Sequence, residues 1–500
     1  MFESAELGHK IDKDTYKQEE AQLRQDLLEA QYELGRRADF PVLILLAGVP
    51  TAGKGEMANL LMEWLDPRHV ATHAFGAHSD EERSRPPMWR YWRALPPKGK
   101  MAILFGGWYA GAVFETLNGA REAVFQREIE RIAHFEKMLA DEGVLVLKFW
   151  LHLSEPVLDK RLKKLSGDKL TAWRVTDEDS WFSQHYDKII ERSRAMLMRT
   201  SSADAPWRVV EGADANYRAL EVGKQLLSAM RQHLARRSVR QSRVEAAQII
   251  PPVDGLRLLD TLQLDQASTD EDYKERLEAL QGRLNLLTRH PQFHNLAVVV
   301  VFEGMDAAGK GGAIRRISAA LDARQYHIVP IAAPTEEERA QPYLWRFWRQ
   351  LPTHGRLTIF DRSWYGRVLV ERVEGFAPVA DWMRAYGEIN EFESQLDDAN
   401  TLVVKYWLAI SKEEQLARFQ EREQTEWKRF KITEEDWRNR EKWDDYVTAA
   451  SDMVDRTSTP GAPWHLIAAN NKSFARIRVL EILCDTIEKR LGRKEKKARA

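Results

Sequence analysis

Short apolar runs rich in β-branched residues alternate along this chain with longer stretches in which apolar residues recur at helical spacing. Such alternation is typical of βαβ units that build a parallel sheet. The pattern predicts strands near residues 41–47, 68–74, 100–105, 144–152 and 207–211, and again near 296–303, 326–331, 356–361, 401–410 and 464–468. A charged helical stretch precedes each set, at about 13–35 and about 270–290. The predicted fold class is α/β and three-layered, with helices flanking each parallel sheet and ligands beyond the carboxyl ends of the strands.

The chain repeats itself at a distance of about 256 residues. The segment LLAGVPTAGKGE at 45–56 matches VFEGMDAAGKGG at 301–312. Further pairs match in the same order: PPMWRYWRALP with PYLWRFWRQLP, KFWLHLS with KYWLAIS, and RTSSADAPW with RTSTPGAPW. Ordered self-similarity of this extent indicates a duplicated domain. We predict domains at 1–238 and 268–500, joined by a linker at 239–267.

Composition and charge narrow the class of protein without naming a partner. The 500 residues carry 75 Lys and Arg against 76 Asp and Glu, and Cys484 is the single cysteine. One cysteine excludes a disulfide framework and a cysteine-rich metal site. No apolar run is long enough to span a membrane, and the first residues lack the apolar core of a signal peptide. We therefore expect a cytoplasmic protein with no membrane partner. We expect no nucleic-acid partner either, because the basic stretch at 231–243 and the basic C-terminal tail are typical of solvated faces.

A phosphate-binding signature stands between a predicted strand and a predicted helix of the second half. Residues 304–311 satisfy G-x-x-x-x-G-K, the Walker A pattern, with Lys310 as its lysine. Curled backbone N–H groups and the positive end of the following helix suit phosphate oxygens. The phosphate-binding residues predicted from this segment are Gly304, Gly309, Gly311, Gly312 and Lys310. A glycine-rich turn with a surface lysine is the alternative.

Two residues depart from the usual loop. Gly311 stands where Ser or Thr normally holds magnesium, so the metal needs other ligands. Asp306 lies inside the loop, where a carboxylate repels phosphate unless it binds Mg²⁺ or takes up a proton. A metal or acceptor-activating role for Asp306 is favoured, and capping of the loop is the alternative.

A second element, TIFDRSWYGR at 358–367, ends an apolar strand in Asp361, the Walker B position. A carboxylate there can hold Mg²⁺ opposite the phosphate loop, while Arg362 and Arg367 can neutralise charge on a transferring phosphoryl group. The alternative for Asp361 is a helix N-cap before Trp364.

A third element is a basic helical region that follows the strand ending at Ser411. It contains Arg418, Arg422, Lys428, Arg429 and Lys431. Its position matches the lid of small phosphate-loop kinases, which excludes water during transfer. A solvated helix face with glutamate partners is the alternative.

These motifs together resemble the second family of polyphosphate kinases, and most closely its members with two domains in tandem. The resemblance rests on GMDAAGKGG at 304–312, DRSWYGR at 361–367 and KRFKIT at 428–433, and it extends over nearly the whole chain. It implies transfer of the terminal phosphoryl group of inorganic polyphosphate to a nucleotide with Mg²⁺ as cofactor. For the tandem members the implied acceptor is AMP, which gives ADP.

The resemblance also implies residue roles. The implied catalytic residues are Asp306, Lys310, Asp361, Arg362 and Arg367, the implied metal ligands are Asp306 and Asp361, and the implied phosphate contacts of the lid are Arg422, Lys428 and Lys431. An ATP-dependent nucleoside monophosphate kinase and a non-catalytic phosphate-sensing scaffold remain as alternatives. The choice among AMP, ADP and GMP, the direction, the chain length and the oligomeric state stay open, a homo-oligomer being one option.

The first half keeps the scaffold but not these groups. Pro50 occupies the position of Asp306, and Phe105 the position of Asp361. Gly106 and Gly111 replace the two arginines of the second element. We therefore predict that only the second half catalyses phosphoryl transfer and that the first half is an interface and structural partner. Binding of a phosphate chain through Lys54 is the alternative.

Overall fold

A computed structural model describes residues 1–117, 122–240, 258–426, 430 and 432–498. The strands of the first half are β1 (Val42–Gly48), β2 (Val70–Ala74), β3 (Met101–Phe105), β4 (Leu145–His152) and β5 (Trp207–Glu211). Those of the second half are β6 (Ala297–Gly304), β7 (Tyr326–Pro330), β8 (Leu357–Asp361), β9 (Thr401–Ala409) and β10 (Trp464–Ala468). Each begins and ends within about two residues of its predicted position.

Within the described residues these strands form two five-stranded sheets, in the orders β2-β3-β1-β4-β5 and β7-β8-β6-β9-β10. Every pairing is parallel. The two orders are the same when each half is counted from its own first strand. Helices flank each sheet, so the predicted α/β class is confirmed.

Helices fill the intervals between the strands. In the first half they are Lys13–Arg37, Lys54–Trp64, Asp80–Arg83, Trp89–Arg93, Tyr109–Leu117, Glu122–Asp141, Glu155–Gly167, Asp177–Gln184, Tyr186–Thr200 and Ala215–Arg240. In the second half they are Asp270–Thr288, Lys310–Ser318, Glu336–Arg339, Trp345–Trp348, Val370–Val373, Val379–Asp398, Lys412–Gln424, Glu434–Glu441, Trp443–Thr457 and Lys472–Ala498. Both predicted charged stretches are helical and pack against the last long helix of their own half.

Burial explains why the central strands read as continuous apolar runs. Strand β6 is buried along nearly its whole length, and β9 along all of it, because helices cover both faces of a parallel sheet. The outer strand β7 is mostly accessible and carries Pro330 at its end. Proline is tolerated at such an edge because it cannot donate to a neighbouring strand.

The chain divides into two compact units, each with one sheet. One unit comprises Met1–Ala77, Arg90–Arg243 and Pro334–Trp345, and the other His78–Trp89, Val244–Ala333 and Arg346–Ala500. The predicted linker lies largely outside the described residues. Over the parts of the chain described, we find no helix with both the length and the apolar character needed to cross a membrane.

The sheet of the second half brings the predicted motifs to one edge. Strand β8 pairs with β6 so that Asp361 lies opposite Phe302, two residues before the start of the phosphate loop. The N–H of Arg362 continues this pairing and donates to the Phe302 carbonyl at 3.0 Å. The carboxyl ends of β6 and β8 thus place the first two predicted elements side by side.

Candidate functional site

The phosphate loop connects strand β6 to the helix that begins at Lys310. Gly304 has φ 143°, and a Cβ there would lie 2.4 Å from the Leu408 carbonyl oxygen, so only glycine fits against strand β9. Gly309 precedes the helix with φ 107°, in the left-handed region that favours glycine. These glycines turn the chain so that the loop ends on a helix N-terminus. This geometry suits an anion.

Lys310 folds back over its own loop. Its ammonium donates to the carbonyl oxygens of Gly304 at 2.6 Å and Met305 at 3.2 Å. Burial lowers the pKa of Lys310, although the nearby Asp306 carboxylate opposes this effect. An arriving anion would favour the charged lysine, because an opposite charge stabilises it against desolvation.

The Asp306 carboxylate joins the first two elements to the helix Glu434–Glu441. One oxygen accepts a hydrogen bond from Arg362 Nη2 at 3.0 Å, and the other accepts from Asn439 Nδ2 at 2.8 Å. The Tyr446 hydroxyl donates to the Asn439 side-chain oxygen at 3.2 Å. Asp306 thus bonds to side chains of other elements, and no bond from its carboxylate to the loop backbone occurs among the described contacts.

Arg362 reaches Asp306 from a strained backbone. Its φ is 63°, a left-handed conformation that costs a residue with a Cβ about 1–2 kcal/mol. Strain of this kind is retained where the surrounding structure requires it, often at functional sites. The motif alone did not predict this conformation, although Gly106 at the matching position of the first half was a clue.

Glu303 is a site residue that the motif analysis missed. It is buried at the end of β6, and its carboxylate accepts a hydrogen bond from the Ser363 hydroxyl at 2.8 Å. Burial raises the pKa of Glu303. Ser363 also accepts from the N–H of Tyr365 and caps the helical turn there, so this cap is not Asp361. An acidic residue inside the apolar run VVVVFEG was the available signal.

A cavity of about 470 Å³ opens above the loop. Predicted residues that line it are Asp306, Gly309, Lys310, Gly311, Gly312, Asp361, Arg362 and Arg422. Four further cations line it: Arg315, Arg418, Lys472 and Arg476. Arg315, Lys472 and Arg476 were missed, because they lie outside the segments that form the recognised motifs. Gly304 instead borders a smaller cleft beside Glu303 and Asn439.

Three further predicted site residues are not among those described at this cavity. Arg367 pairs with Glu371 at 3.0 Å and with Asp381 at 3.5 Å, and it is not among the described residues that line the cavity. Lys428 and Lys431, the predicted lid lysines, lie outside the described residues.

Arg418 of the basic region braces the loop. Its guanidinium donates to the carbonyl oxygens of Ala307, Ala469 and Asn470 at 2.7 to 2.9 Å, and pairs with Glu414 at 2.6 Å. Arg161 does the same in the first half, where it donates to the Thr51 carbonyl at 2.6 Å. An arginine kept in both halves in this way supports the shape of the loop.

The tryptophans of the WRYW and WRFW segments are core residues. Trp89, Trp92, Trp345 and Trp348 are all buried. This agrees with a packing role rather than a surface for stacking bases.

Comparison with known proteins identifies the family. The polyphosphate kinase 2 family matches residues 10–238 and 267–496. A polyphosphate:AMP phosphotransferase of Pseudomonas aeruginosa is 55% identical over 98% of this chain and 99% of its own length. The protein of the same name from Acinetobacter johnsonii is 40% identical over 93% of this chain and 95% of its own length.

A solved structure gives the same result for the fold. A crystal structure titled as a polyphosphate kinase 2 from Pseudomonas aeruginosa covers 98% of this chain and 99% of its own, with a TM-score of 0.88 and 54% identity. The two matches of the family coincide with the two sheets. The chain therefore belongs to the polyphosphate kinase 2 family, whose domain it carries twice.

Proposed function

We propose that this phosphotransferase transfers the terminal phosphoryl group of inorganic polyphosphate to AMP, giving ADP, in its second half. An oxygen of the AMP phosphate attacks the terminal phosphorus of the chain, and the bond to the bridging oxygen breaks. The polyphosphate leaves shorter by one phosphate. Relatives that match over full length carry the name of this activity.

The observation that carries the proposal is the cationic lining of the cavity above the phosphate loop. Lysine and arginine side chains outnumber acidic ones among the described lining residues. Arg315, Lys472 and Arg476 extend this lining beyond the loop lysine, onto two helices. A polyanion longer than the phosphate chain of a nucleoside triphosphate suits such a surface, because each additional phosphate meets another cation.

We assign to Arg362 and Lys310 the stabilisation of the negative charge on the transferring phosphoryl group. Both line the cavity with the loop backbone, and preorganised donors of this kind stabilise a transferring phosphoryl group. Asp306 orients Arg362 through its 3.0 Å ion pair. Arg367 would act indirectly. Its guanidinium is held by ion pairs with Glu371 and Asp381, and it is not among the described residues that line the cavity.

Mg²⁺ is proposed as the cofactor, with Asp306 and Asp361 as its protein ligands. Both carboxylates line one cavity beside the phosphate loop. Mg²⁺ is usually held by one or two carboxylates together with water and substrate phosphates, so this donor set fits. No cluster of three or more acidic or histidine side chains forms a metal cage within the described parts of the chain. When bound, Mg²⁺ would neutralise phosphate charge.

The test is ADP formation from AMP and Mg²⁺ with long-chain polyphosphate as sole donor, run beside ATP as sole donor. We expect turnover with polyphosphate and its loss with EDTA. AMP, ADP and GMP compared as acceptors at equal concentration give the preference, for which AMP is expected. Turnover with ATP alone would contradict the proposal and indicate an ordinary monophosphate kinase. Absence of turnover with either donor would favour a phosphate-sensing scaffold.

A further inference from the structure

The first half contains a second cavity, of about 570 Å³, at the carboxyl ends of β1 and β3. It lies beside Lys54, where the second half has its phosphate loop. In the second half, the counterparts of its lining residues are divided between the cavity above the phosphate loop and a smaller cleft of about 60 Å³ beside Glu303 and Tyr446. With about 570 Å³, the first-half cavity has the size of a small-molecule site.

Its walls have changed from polar to apolar. The second-half residues Glu303, Asp361, Arg362, Arg438, Asn439 and Tyr446 correspond to Ala47, Phe105, Gly106, Trp181, Phe182 and Ile189, which all line the cavity. Trp150, the counterpart of Trp407, is unchanged and also lines it. Aromatic and aliphatic walls of this kind favour an apolar ligand body, because its burial removes apolar surface from water.

Apart from the acids Glu178 and Asp179, which also line the cavity, two polar side chains bear on its ligand. The Lys54 ammonium donates to the Gly48 carbonyl at 2.7 Å and lies 5.9 Å from the centre of the Phe105 ring. Burial lowers the pKa of Lys54 to about 8, and the more distant Asp179 opposes this only in part. An anion at this position would compensate the cost of burying the ammonium.

The second polar group is the Ser193 hydroxyl. Ser193 is fully buried, lines the cavity, and its oxygen has no hydrogen-bond partner among the described residues. The second half has Ala450 at this position, so the hydroxyl is not required by the shared fold. Buried polar groups are normally hydrogen-bonded. An unpartnered one in a cavity wall points to a ligand atom.

We infer that this cavity binds a small organic anion with an aromatic body. Its acid group lies at Lys54, its ring system packs between Trp150 and Phe182, and a ligand atom bonds the Ser193 hydroxyl. The apolar body of such a carboxylate or sulfonate would be buried between the aromatic walls. Its acid group would form an ion pair with Lys54, the one lysine of the described lining. The inference does not depend on the proposed function.

An inorganic phosphate chain fits this cavity less well. The counterpart of Arg362 is Gly106, and Glu178 and Asp179 add negative charge to the lining. A chain with a charge on every phosphate would meet one lysine and two acids. The aromatic walls would bury no apolar surface of such a ligand.

The experiment uses the full chain and two fluorescent probes of nearly the same shape. 8-Anilino-1-naphthalenesulfonate carries a sulfonate, and N-phenyl-1-naphthylamine is its neutral counterpart. We expect Lys54→Met to raise the Kd of the sulfonate about tenfold and to leave that of the neutral probe nearly unchanged. Ala110→Trp, which fills the cavity from an accessible lining position, should abolish binding of both.

Arg324→Met is the control, because Arg324 is 88% exposed and is not among the described residues that line either cavity, and it should change neither Kd. Near-ultraviolet circular dichroism verifies that each variant is folded, and Val113→Phe is a second filling variant should Ala110→Trp fail to fold. Unchanged sulfonate binding in a folded filling variant would overturn the inference. Displacement of the sulfonate probe by inorganic triphosphate would also overturn it, in favour of a retained phosphate site. Donor and acceptor are omitted, so these outcomes are independent of catalysis.

Discussion

At the scale of single residues, the same backbone geometry serves two different purposes in the two halves. Arg362 has φ 63° and Gly106 has φ 71°, so the turn after the strand is left-handed in both. Gly106 adopts this conformation without a steric cost, whereas Arg362 places a guanidinium at Asp306. The second half thus accepts strain to hold a cation beside the loop.

This strain predicts a difference between two variants that both lose the guanidinium. Arg362→Ala keeps a Cβ at positive φ, while Arg362→Gly removes it, so we expect the glycine variant to be more stable by about 1 kcal/mol. Denaturant unfolding monitored by tryptophan fluorescence measures the difference. Gly106→Ala should lose about as much, since its new Cβ would also lie 3.2 Å from the Phe75 carbonyl oxygen. Equal stability of the two Arg362 variants would refute the strain.

The two loop lysines offer the same substitution in two environments. Lys310→Met removes a cation from the proposed transfer site, and we expect kcat with polyphosphate to fall at least about 100-fold. Lys54→Met removes its counterpart from a half without carboxylates at the matching positions, so most turnover should remain. Initial rates of ADP formation at saturating AMP provide the measurement. A comparable loss in both variants would show that the first half takes part in catalysis.

Sequence reasoning identified the site residues that lie within motifs. Asp306, Lys310, Asp361 and Arg362 line one cavity, as their positions after adjacent strands indicated. Asn439 was missed because it is 133 residues from its partner Asp306, and no local spacing encodes such a contact.

At the scale of elements, the strands could be predicted because central strands of a parallel sheet are apolar on both faces. The partners of the polar residues inside these strands could not be predicted from the sequence. Lys405 lies in the buried strand β9, where its ammonium donates to Glu393 at 2.7 Å and to the Thr457 carbonyl at 2.8 Å. The Tyr365 hydroxyl donates to the other oxygen of Glu393 at 2.6 Å. A lysine inside an apolar strand does not by itself reveal its partner on a helix.

The first half has the same buried network. Lys148 donates to Glu136 at 2.6 Å and to the Thr200 carbonyl at 2.7 Å. It persists although Pro50, Phe105 and Gly106 replace Asp306, Asp361 and Arg362 beyond the strands. The network therefore belongs to the architecture, where it ties the strand to the helices that cover it.

This assignment predicts a cost in stability. Lys405→Met leaves the Glu393 carboxylate buried without its cation, and we expect a loss of about 3–5 kcal/mol in the free energy of unfolding. Adding Glu393→Leu should recover much of that loss, because the uncompensated charge is removed. Urea unfolding of the two variants provides the comparison, and Lys148→Met is the matched variant of the first half. A double variant as unstable as the single one would contradict this account.

At the scale of the whole molecule, the positive charge that could attract a phosphate chain is confined to one site. The chain as a whole has a net charge of -1. Attraction of a polyanion must therefore come from the cluster around the phosphate loop, which includes Lys310, Arg315 and Arg476. Charge outside this cluster acts over only about one Debye length, near 8 Å at physiological ionic strength.

The last prediction follows from this local field. The KM for polyphosphate should rise at least about tenfold between about 50 mM and about 200 mM salt, as expected for a polyanion that contacts several cations, and the KM for AMP should rise less. Arg476→Met removes one cavity cation and should make the salt dependence for polyphosphate less steep. Arg324→Met is the control, because Arg324 is 88% exposed, pairs with Asp322 and does not line the cavity. Identical salt slopes for these two variants would mean that the described cavity is not where the polyphosphate chain binds.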